Sequence, residues 1–145
     1  MTVERGFGVR RRSREMALQL LFQGEFLPTS LKPEIAQEFL ARFIEDFSVE
    51  KDIAEYGAEL FLGVAVNLSA IDALIQAHSA HWKVNRMGLV DRSVMRIAIY
   101  EMKFLAKTLT PSIVIDEAVE IAKLYGSTES SAFVNGILDQ VSRSS

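Results

Sequence analysis

Cysteine is absent from the 145-residue sequence. This absence excludes disulfide bonds, thiolate metal sites and a cysteine nucleophile, and it is compatible with a reducing compartment. Glycine and proline are also scarce, with 8 and 3 residues, so few positions interrupt regular structure. Hydrophobic residues make up 49% and charged residues 24%, which argues against a disordered chain. The composition is typical of helices joined by short loops.

Long hydrophobic runs are missing as well. The longest uncharged apolar stretch, residues 61–66, is far too short to cross a bilayer. The arginines before residues 16–22 imitate the start of a signal peptide, but polar side chains interrupt the apolar part and no small-residue cleavage site follows. The sequence therefore predicts a cytoplasmic protein without a membrane contact. Its length is that of a single domain, long enough to bury a core.

The net charge of −3 conceals an uneven distribution of charge. In residues 1–14, five arginines against one glutamate give +4, and in the rest eleven basic against eighteen acidic residues give −7. We call residues 1–14 the basic head and the remaining residues the acidic body. This distribution of charge predicts an anionic partner at the basic head and a second partner elsewhere on the protein.

Apolar residues recur at helical spacing along most of the chain, and no segment is a convincing strand. We therefore expect an all-α fold of about seven helices in two small helical-bundle subdomains. The expected boundaries are a disordered tail over about residues 1–9, an N-terminal subdomain over about 10–68 and a C-terminal subdomain over about 69–143. Together they form one domain over residues 1–145.

Capping signals predict several helix boundaries. Ser48 is a candidate N-cap of the third helix, and residues 69–72 are similar to a capping box with aspartate in the glutamate position. Asp91 is a candidate N-cap of a nearly all-apolar central helix that reaches about Lys107. Gly126, just after a lysine in the last turn, is a typical helix stop.

The arginine run is the main candidate for chemistry. Arg10, Arg11, Arg12 and Arg14 can fan over one end of the first helix, and guanidinium groups bind phosphate in a bidentate manner and stack on unpaired bases. The predicted helix begins at Arg10, and the free N–H groups at its N-terminus would favour a phosphate further. The pattern predicts nucleic-acid binding, and the alternative is a solvated basic tail without a function.

Motifs for catalysis or metal binding are not found. His78 and His81 are spaced for a metal pair, but no carboxylate in the adjacent turns completes a site. The sequence contains no phosphate-binding glycine loop, dinucleotide motif, HExxH motif or Ser-His-Asp arrangement. We expect no catalytic residues, no metal and no cofactor, and hence a protein that is not an enzyme.

Four blocks carry a resemblance to a known family. They are RRRSREMALQLLF at 10–22, DRSVMRIAIYE at 91–101, IDEAVEIAKLYG at 115–126 and FVNGILD at 133–139. In this order the blocks resemble the NusB family of transcription antitermination factors. Each block is weak alone, and jointly they are highly specific.

The resemblance implies a function as well as the all-α fold. NusB-like proteins act in the bacterial cytoplasm, where they bind the boxA element of nascent ribosomal RNA transcripts together with NusE, a small-subunit ribosomal protein. With other Nus factors they join RNA polymerase, which then reads through terminators. An arginine cluster and an acidic body suit two partners, single-stranded RNA and a basic ribosomal protein.

The resemblance also implies roles for particular residues. RNA contacts are expected at Arg10, Arg11, Arg12, Arg14, Gly63, Val64, Asn67, Phe133 and Asn135. Some members have a lysine before the aromatic residue, where Ala132 stands here, so one basic contact is missing. NusE contacts are expected at Phe22, Asn85 and Asp91, and some members have an acid in place of Asn85. Glu129 occupies an acidic position that tunes recruitment.

Three alternatives bear on this function. Certain ribosomal RNA cytosine methyltransferases begin with a NusB-like domain, but their chemistry needs cysteines, which this chain does not have. A helical adaptor that binds only proteins is the second alternative, with incidental arginines. The third concerns self-association, because some family members resemble homodimers that would hide the RNA-binding face.

Overall fold

The computed structural model describes residues 2–144, with the side chains of residues 2–7 and 28 left outside the description. Within residues 2–144 it contains seven α-helices and no strand, which confirms the predicted all-α class. The helices are α1 (Thr2–Gly24), α2 (Pro33–Phe47), α3 (Lys51–Val66), α4 (Leu68–Ala77), α5 (Leu89–Ile99), α6 (Pro111–Tyr125) and α7 (Ser130–Arg143). The chain divides into two compact units, and the division falls between Val66 and Asn67.

The first unit is built from α1, α2 and α3. Helix α1 packs mainly on α3, and α2 packs on the same helix. Gly57 permits the close approach of α1 and α3, because a Cβ atom there would lie 2.5 Å from the Sδ atom of Met16. The hydroxyl of the fully buried Ser13 lies 2.7 Å from the carbonyl of Val9 in its own helix and 3.1 Å from the carbonyl of Ile53 on α3, and its one proton is shared between them.

The second unit is arranged around α5. Helices α4, α6 and α7 all pack on α5, and α6 also packs on α7. Every residue from 92 to 99 is buried, as expected of the most central helix. A bidentate ion pair ties α5 to α4, with the Nε and Nη2 atoms of Arg96 each 2.8 Å from a carboxylate oxygen of Asp72.

The start of α1 corrects the expected tail over residues 1–9. The helix begins at Thr2, so Arg10 lies more than two turns inside it. No proline occurs before Pro28, and the two glycines before Arg10 lower helix propensity by only about 1 kcal/mol each. The arginine run therefore does not occupy a helix N-terminus, and the expected contribution of free N–H groups does not apply.

Three expected caps are also wrong. Ser48 closes α2 rather than opening α3, in the left-handed conformation with φ 48°. Asp72 lies inside α4, where its carboxylate binds Arg96 instead of capping the helix. Asp91 lies in the first turn of α5, whose N-cap residue is Gly88. In each case a tertiary contact or the path of the chain overrides a local preference.

The central helix ends earlier than the sequence predicts. After α5 ends at Ile99, Tyr100–Phe104 form a π-helical turn in which the Leu105 N–H donates to the Tyr100 carbonyl at 2.9 Å. This π-helical turn ends at Phe104, whereas the sequence predicts that the central helix continues to about Lys107.

No helix among the described residues is, by itself, both long and apolar enough to cross a membrane. The consecutive helices α3 and α4 are long and apolar enough only when they are counted together.

Candidate nucleic-acid interface

Three arginines of α1 form the cationic surface that we call the arginine face, defined as Arg10, Arg11 and Arg12. Arg10 and Arg12 are exposed, and Arg11 is half-buried. The guanidinium carbon of Arg10 lies 3.9 Å from the centroid of the Tyr56 ring on α3, a cation–π contact. This contact orients Arg10 while the side chain remains accessible to an anion.

Arg12 lies near a carboxylate on the same side of the first unit. Its Nη1 atom is 3.9 Å from Oε2 of Glu50, and both side chains are largely exposed. An exposed pair at this distance contributes at most about 1 kcal/mol, so a phosphate can compete for the guanidinium.

Arg14 is separated from the other arginines by burial. It is 5% exposed and engaged with protein groups, beside the fully buried Ser13. The sequence contains a signal for this, because Arg14 is spaced by three, four and seven residues from the apolar Ala17, Leu18 and Leu21. The arrangement therefore supports a role for Arg14 in positioning α1, rather than an open guanidinium for RNA.

The residues expected near the end of α3 differ in accessibility. Val64 is fully buried, so its side chain is not presented to a partner. Gly63 is half-buried. Asn67, also half-buried, precedes α4 as its N-cap residue but makes no side-chain cap hydrogen bond.

In the second unit, one pocket is lined by residues to which the family resemblance gives three separate roles. The expected RNA contact Phe133, the NusE contact Asp91 and the recruitment residue Glu129 all line it. Trp82, which is 57% exposed, and Arg86 also line this pocket, which we call the aromatic pocket and which has a volume of about 180 Å³. Carboxylates, a guanidinium and two aromatic rings can together hold a base or a peptide side chain.

The remaining expected contacts lie outside this pocket's lining. Asn135 is exposed on α7, and Asn85 is exposed in the 3₁₀ turn Val84–Arg86. In the first unit, Phe22 is partly exposed near the end of α1, with its ring centroid 5.6 Å from that of Phe26. Phe26 is itself 67% exposed, so the expected protein contact at Phe22 extends to a second aromatic ring.

Sequence reasoning missed Tyr56, Trp82 and Arg86. Tyr56 is far from Arg10 in sequence, and only the packing of α1 on α3 makes them neighbours. Trp82 and Arg86 lie in a loop region where periodicity gives no orientation. A tryptophan and an arginine four residues apart in a polar loop are, however, a usable signal for binding.

Metal chemistry finds no support in the described part of the chain. Within it, no group of three or more histidine, cysteine, aspartate or glutamate side chains is arranged to hold a metal ion. The arrangement of both units supports binding through cationic and aromatic side chains.

The fold and the arginine face define the class as an all-α nucleic-acid-binding factor. Comparison with known proteins narrows this class. The NusB family model matches residues 11–143. The chain belongs to the NusB family of transcription antitermination proteins, which confirms the resemblance seen in the sequence.

Curated relatives agree with this assignment over nearly their whole length. The chain is 48% identical to the transcription antitermination protein NusB of Bdellovibrio bacteriovorus, over 92% of this chain and 95% of the relative. It is 40% identical to the NusB protein of Myxococcus xanthus, over 92% and 94%. These relatives are named as antitermination factors rather than enzymes, and family membership confirms the non-enzymatic class over the methyltransferase alternative.

Two solved structures share the fold. The chain is similar to T. maritima NusB, with a TM-score of 0.78 and 40% identity over 92% of this chain and 90% of that one. It is also similar to a chain in a crystal structure of the antitermination factors NusB and NusE in complex with dsRNA. There the TM-score is 0.77 and the identity 26%, over 93% and 96%.

Proposed function

We propose that this antitermination factor binds single-stranded boxA RNA of nascent ribosomal RNA transcripts together with NusE and helps RNA polymerase to read through terminators. The observation that carries the proposal is the arginine face, with Arg10 stacked on Tyr56 and Arg12 accessible beside it. Its three guanidinium groups carry the charge and the bidentate donors that bind phosphates of an RNA backbone. The similar solved chain is in a complex with dsRNA and NusE, which supports RNA and NusE as the two kinds of partner.

The proposed RNA contacts are divided by accessibility. Arg10, Arg11 and Arg12 bind phosphates, and Phe133 and Asn135 contact bases or sugars. Gly63 and Asn67 lie near the backbone of the RNA. Arg14 and Val64, which are buried, act by holding α1 and α3 in place.

The proposed NusE contacts use the acidic body of the chain. Asp91 supplies a carboxylate for a basic ribosomal protein, while Phe22 and Asn85 supply apolar and amide contacts. Glu129 lies in the aromatic pocket with Asp91 and Phe133, where its negative charge opposes a nearby phosphate. This opposition is a physical reason for Glu129 to tune recruitment.

Further assembly belongs to the same proposal. The RNA- and NusE-bound chain joins other Nus factors on RNA polymerase in the cytoplasm, where transcripts emerge. A homodimer that covers the arginine face would compete with RNA. Light scattering should then show that added RNA shifts dimers to monomers.

The direct experiment is a titration of boxA RNA with the chain, in the presence and absence of NusE. We expect specific binding that NusE strengthens, and weaker binding to a scrambled RNA of equal length and composition. A duplex of the same sequence is the control for strandedness, because double-stranded RNA is recognised mainly by shape. Equal affinity for the boxA and scrambled strands would contradict the specificity.

The same titration distinguishes the proposed function from that of a helical adaptor that binds only proteins. An adaptor would bind NusE with no change on addition of RNA, even when all three components are mixed. The proposal instead requires that RNA and NusE each raise the affinity of the chain for the other.

A further inference from the structure

A groove in the first unit adjoins the arginine face. Its volume is about 280 Å³, and Arg12 of α1 forms part of its lining. Residues near the end of α2 and the start of α3 line it as well, including Phe47 and Glu50. We call it the phenylalanine groove. The expected contacts from the family resemblance include Arg12 but no other lining residue.

Phe47 gives the groove an aromatic surface. It is the last residue of α2 and is 60% exposed, although its ring centroid lies only 4.7 Å from that of the buried Phe43. The left-handed turn at Ser48 ends the helix directly after it. Contact with Phe43 supports the ring from the protein side, while much of its area remains available to a ligand.

Apart from Arg12, the polar side chains of the groove accept hydrogen bonds more than they donate them. Glu15 and Glu50 bring carboxylates, which only accept, and Gln19 brings an amide. Carboxylates are unfavourable for phosphate but match the amino groups on the pairing edges of cytosine, adenine and guanine. Uracil presents a carbonyl oxygen at the position of the cytosine amino group, and so would face a carboxylate with an acceptor.

We infer that the phenylalanine groove is a subsite for one unpaired, amino-bearing RNA base, stacked on Phe47 with its pairing edge toward Glu15 and Glu50. Arg12 binds the adjoining phosphate. This inference rests on the proposed function, which it deepens by naming a base and its recognition. The alternating use of cation, ring and carboxylate follows the chemistry of one nucleotide from backbone to base edge.

Charge complementarity favours RNA over a peptide as the occupant. The groove is continuous through Arg12 with the arginine face, where two further guanidinium groups can bind the neighbouring phosphates. An apolar peptide segment would gain little from these cations. A nucleotide chain satisfies both the cationic border and the aromatic centre.

The first test replaces the stacking ring. Phe47→Ala should weaken the binding of oligocytidylate to the full chain by roughly 5- to 150-fold, the range found for loss of one stacked base. Leu27→Ala is the matched control, because Leu27 is similarly exposed in the same unit but does not line the groove. Phe47→Leu, which keeps apolar bulk without a ring, should also weaken binding. Unchanged affinity in both Phe47 variants would overturn the inference.

The second test measures base preference. Wild-type protein should bind oligocytidylate roughly 5-fold or more tightly than oligouridylate of equal length. The double variant Glu15→Gln/Glu50→Gln should lose this preference, because a glutamine amide can donate to the uracil oxygen. Removal of negative charge strengthens both complexes alike, so the ratio of affinities isolates recognition of the base. A ratio that the double variant leaves unchanged would overturn the base assignment.

Failure of this inference is distinguishable from failure of the proposed function. If the wild-type chain binds no single-stranded RNA, the function and the subsite are both wrong. If it binds RNA and loses affinity on substitution of Arg10 and Arg11 but not of Phe47, only the subsite is wrong. If the Phe47 variants bind RNA normally but bind NusE weakly, the groove is a protein-docking site instead.

Discussion

The guanidinium of Arg10 lies over the ring of Tyr56, 3.9 Å from its centroid, and joins the third turn of α1 to α3. The contact keeps a long, flexible side chain in one region while its N–H groups remain accessible. An arginine held in this way loses less conformational freedom when it binds a phosphate.

Substitution of Tyr56 should therefore weaken RNA binding without removing any direct contact. Tyr56→Leu should lower the affinity for boxA RNA by about 2- to 5-fold, because an exposed cation–π contact contributes about 0.5–1 kcal/mol. Tyr56→Phe keeps the ring and is the matched control. Filter binding or anisotropy measures the difference, and equal losses in both variants would show that the ring has no part in it.

Two arginines two residues apart should have opposite effects when substituted. Arg14→Met should lower the free energy of unfolding by about 1–3 kcal/mol in urea denaturation, because it removes a buried guanidinium that is engaged with other protein groups. Arg12→Met should change stability by less than about 0.5 kcal/mol and weaken RNA binding instead. The assignment of Arg14 to positioning would be wrong if both variants were equally stable and bound RNA equally poorly.

Two helical glycines should respond oppositely to alanine. Gly136→Ala on α7 should stabilise the fold by about 0.5–1 kcal/mol, because nothing lies within 4 Å of the added methyl group. Gly57→Ala should destabilise it by about 1–3 kcal/mol, because Met16 occupies that space and must move. Thermal or urea unfolding of the two variants measures the contrast, and a stabilised Gly57→Ala protein would contradict the close packing of α1 on α3.

The sequence predicts helix boundaries best where the boundary depends on the backbone preference of the boundary residue itself. Pro33 and Pro111 begin α2 and α6, as the fixed φ of proline favours, and Gly126 directly follows α6. Local spacing predicts a helix-capping role for Asp72. Its actual partner, Arg96, lies 24 residues away, where local spacing gives no information. The meaning of a polar residue depends on tertiary neighbours that spacing does not reveal.

The candidate site follows the same rule. The composition alone reveals the arginine run. Whether each arginine is exposed, like Arg12, or buried, like Arg14, depends on which side of α1 packs against the protein. Tyr56 and Phe47 carry no signal in the sequence, since their partners in the first unit belong to other helices or to the groove. Periodicity predicts burial, whereas the contacts between elements require the structure.

Charge removal in the aromatic pocket should strengthen RNA binding. Glu129→Gln should raise the affinity for boxA RNA by about 2- to 5-fold at low salt, because it removes repulsion between a carboxylate and phosphate. The gain should fade as salt screens the charge. Asp116→Asn, at an exposed position of α6 outside the pocket, is the control for net charge. An equal gain in affinity in both variants would show that Glu129 does not lie at the RNA interface.

The salt dependence of RNA affinity tests the central claim most directly. Each phosphate neutralised on a single strand contributes about 0.7 to the slope of log affinity against log salt concentration. Replacement of Arg10, Arg11 and Arg12 by glutamine should therefore reduce the steepness of that slope by about 2, relative to wild type. The same slope in wild type and in the triple variant would show that the arginine face does not bind the RNA backbone.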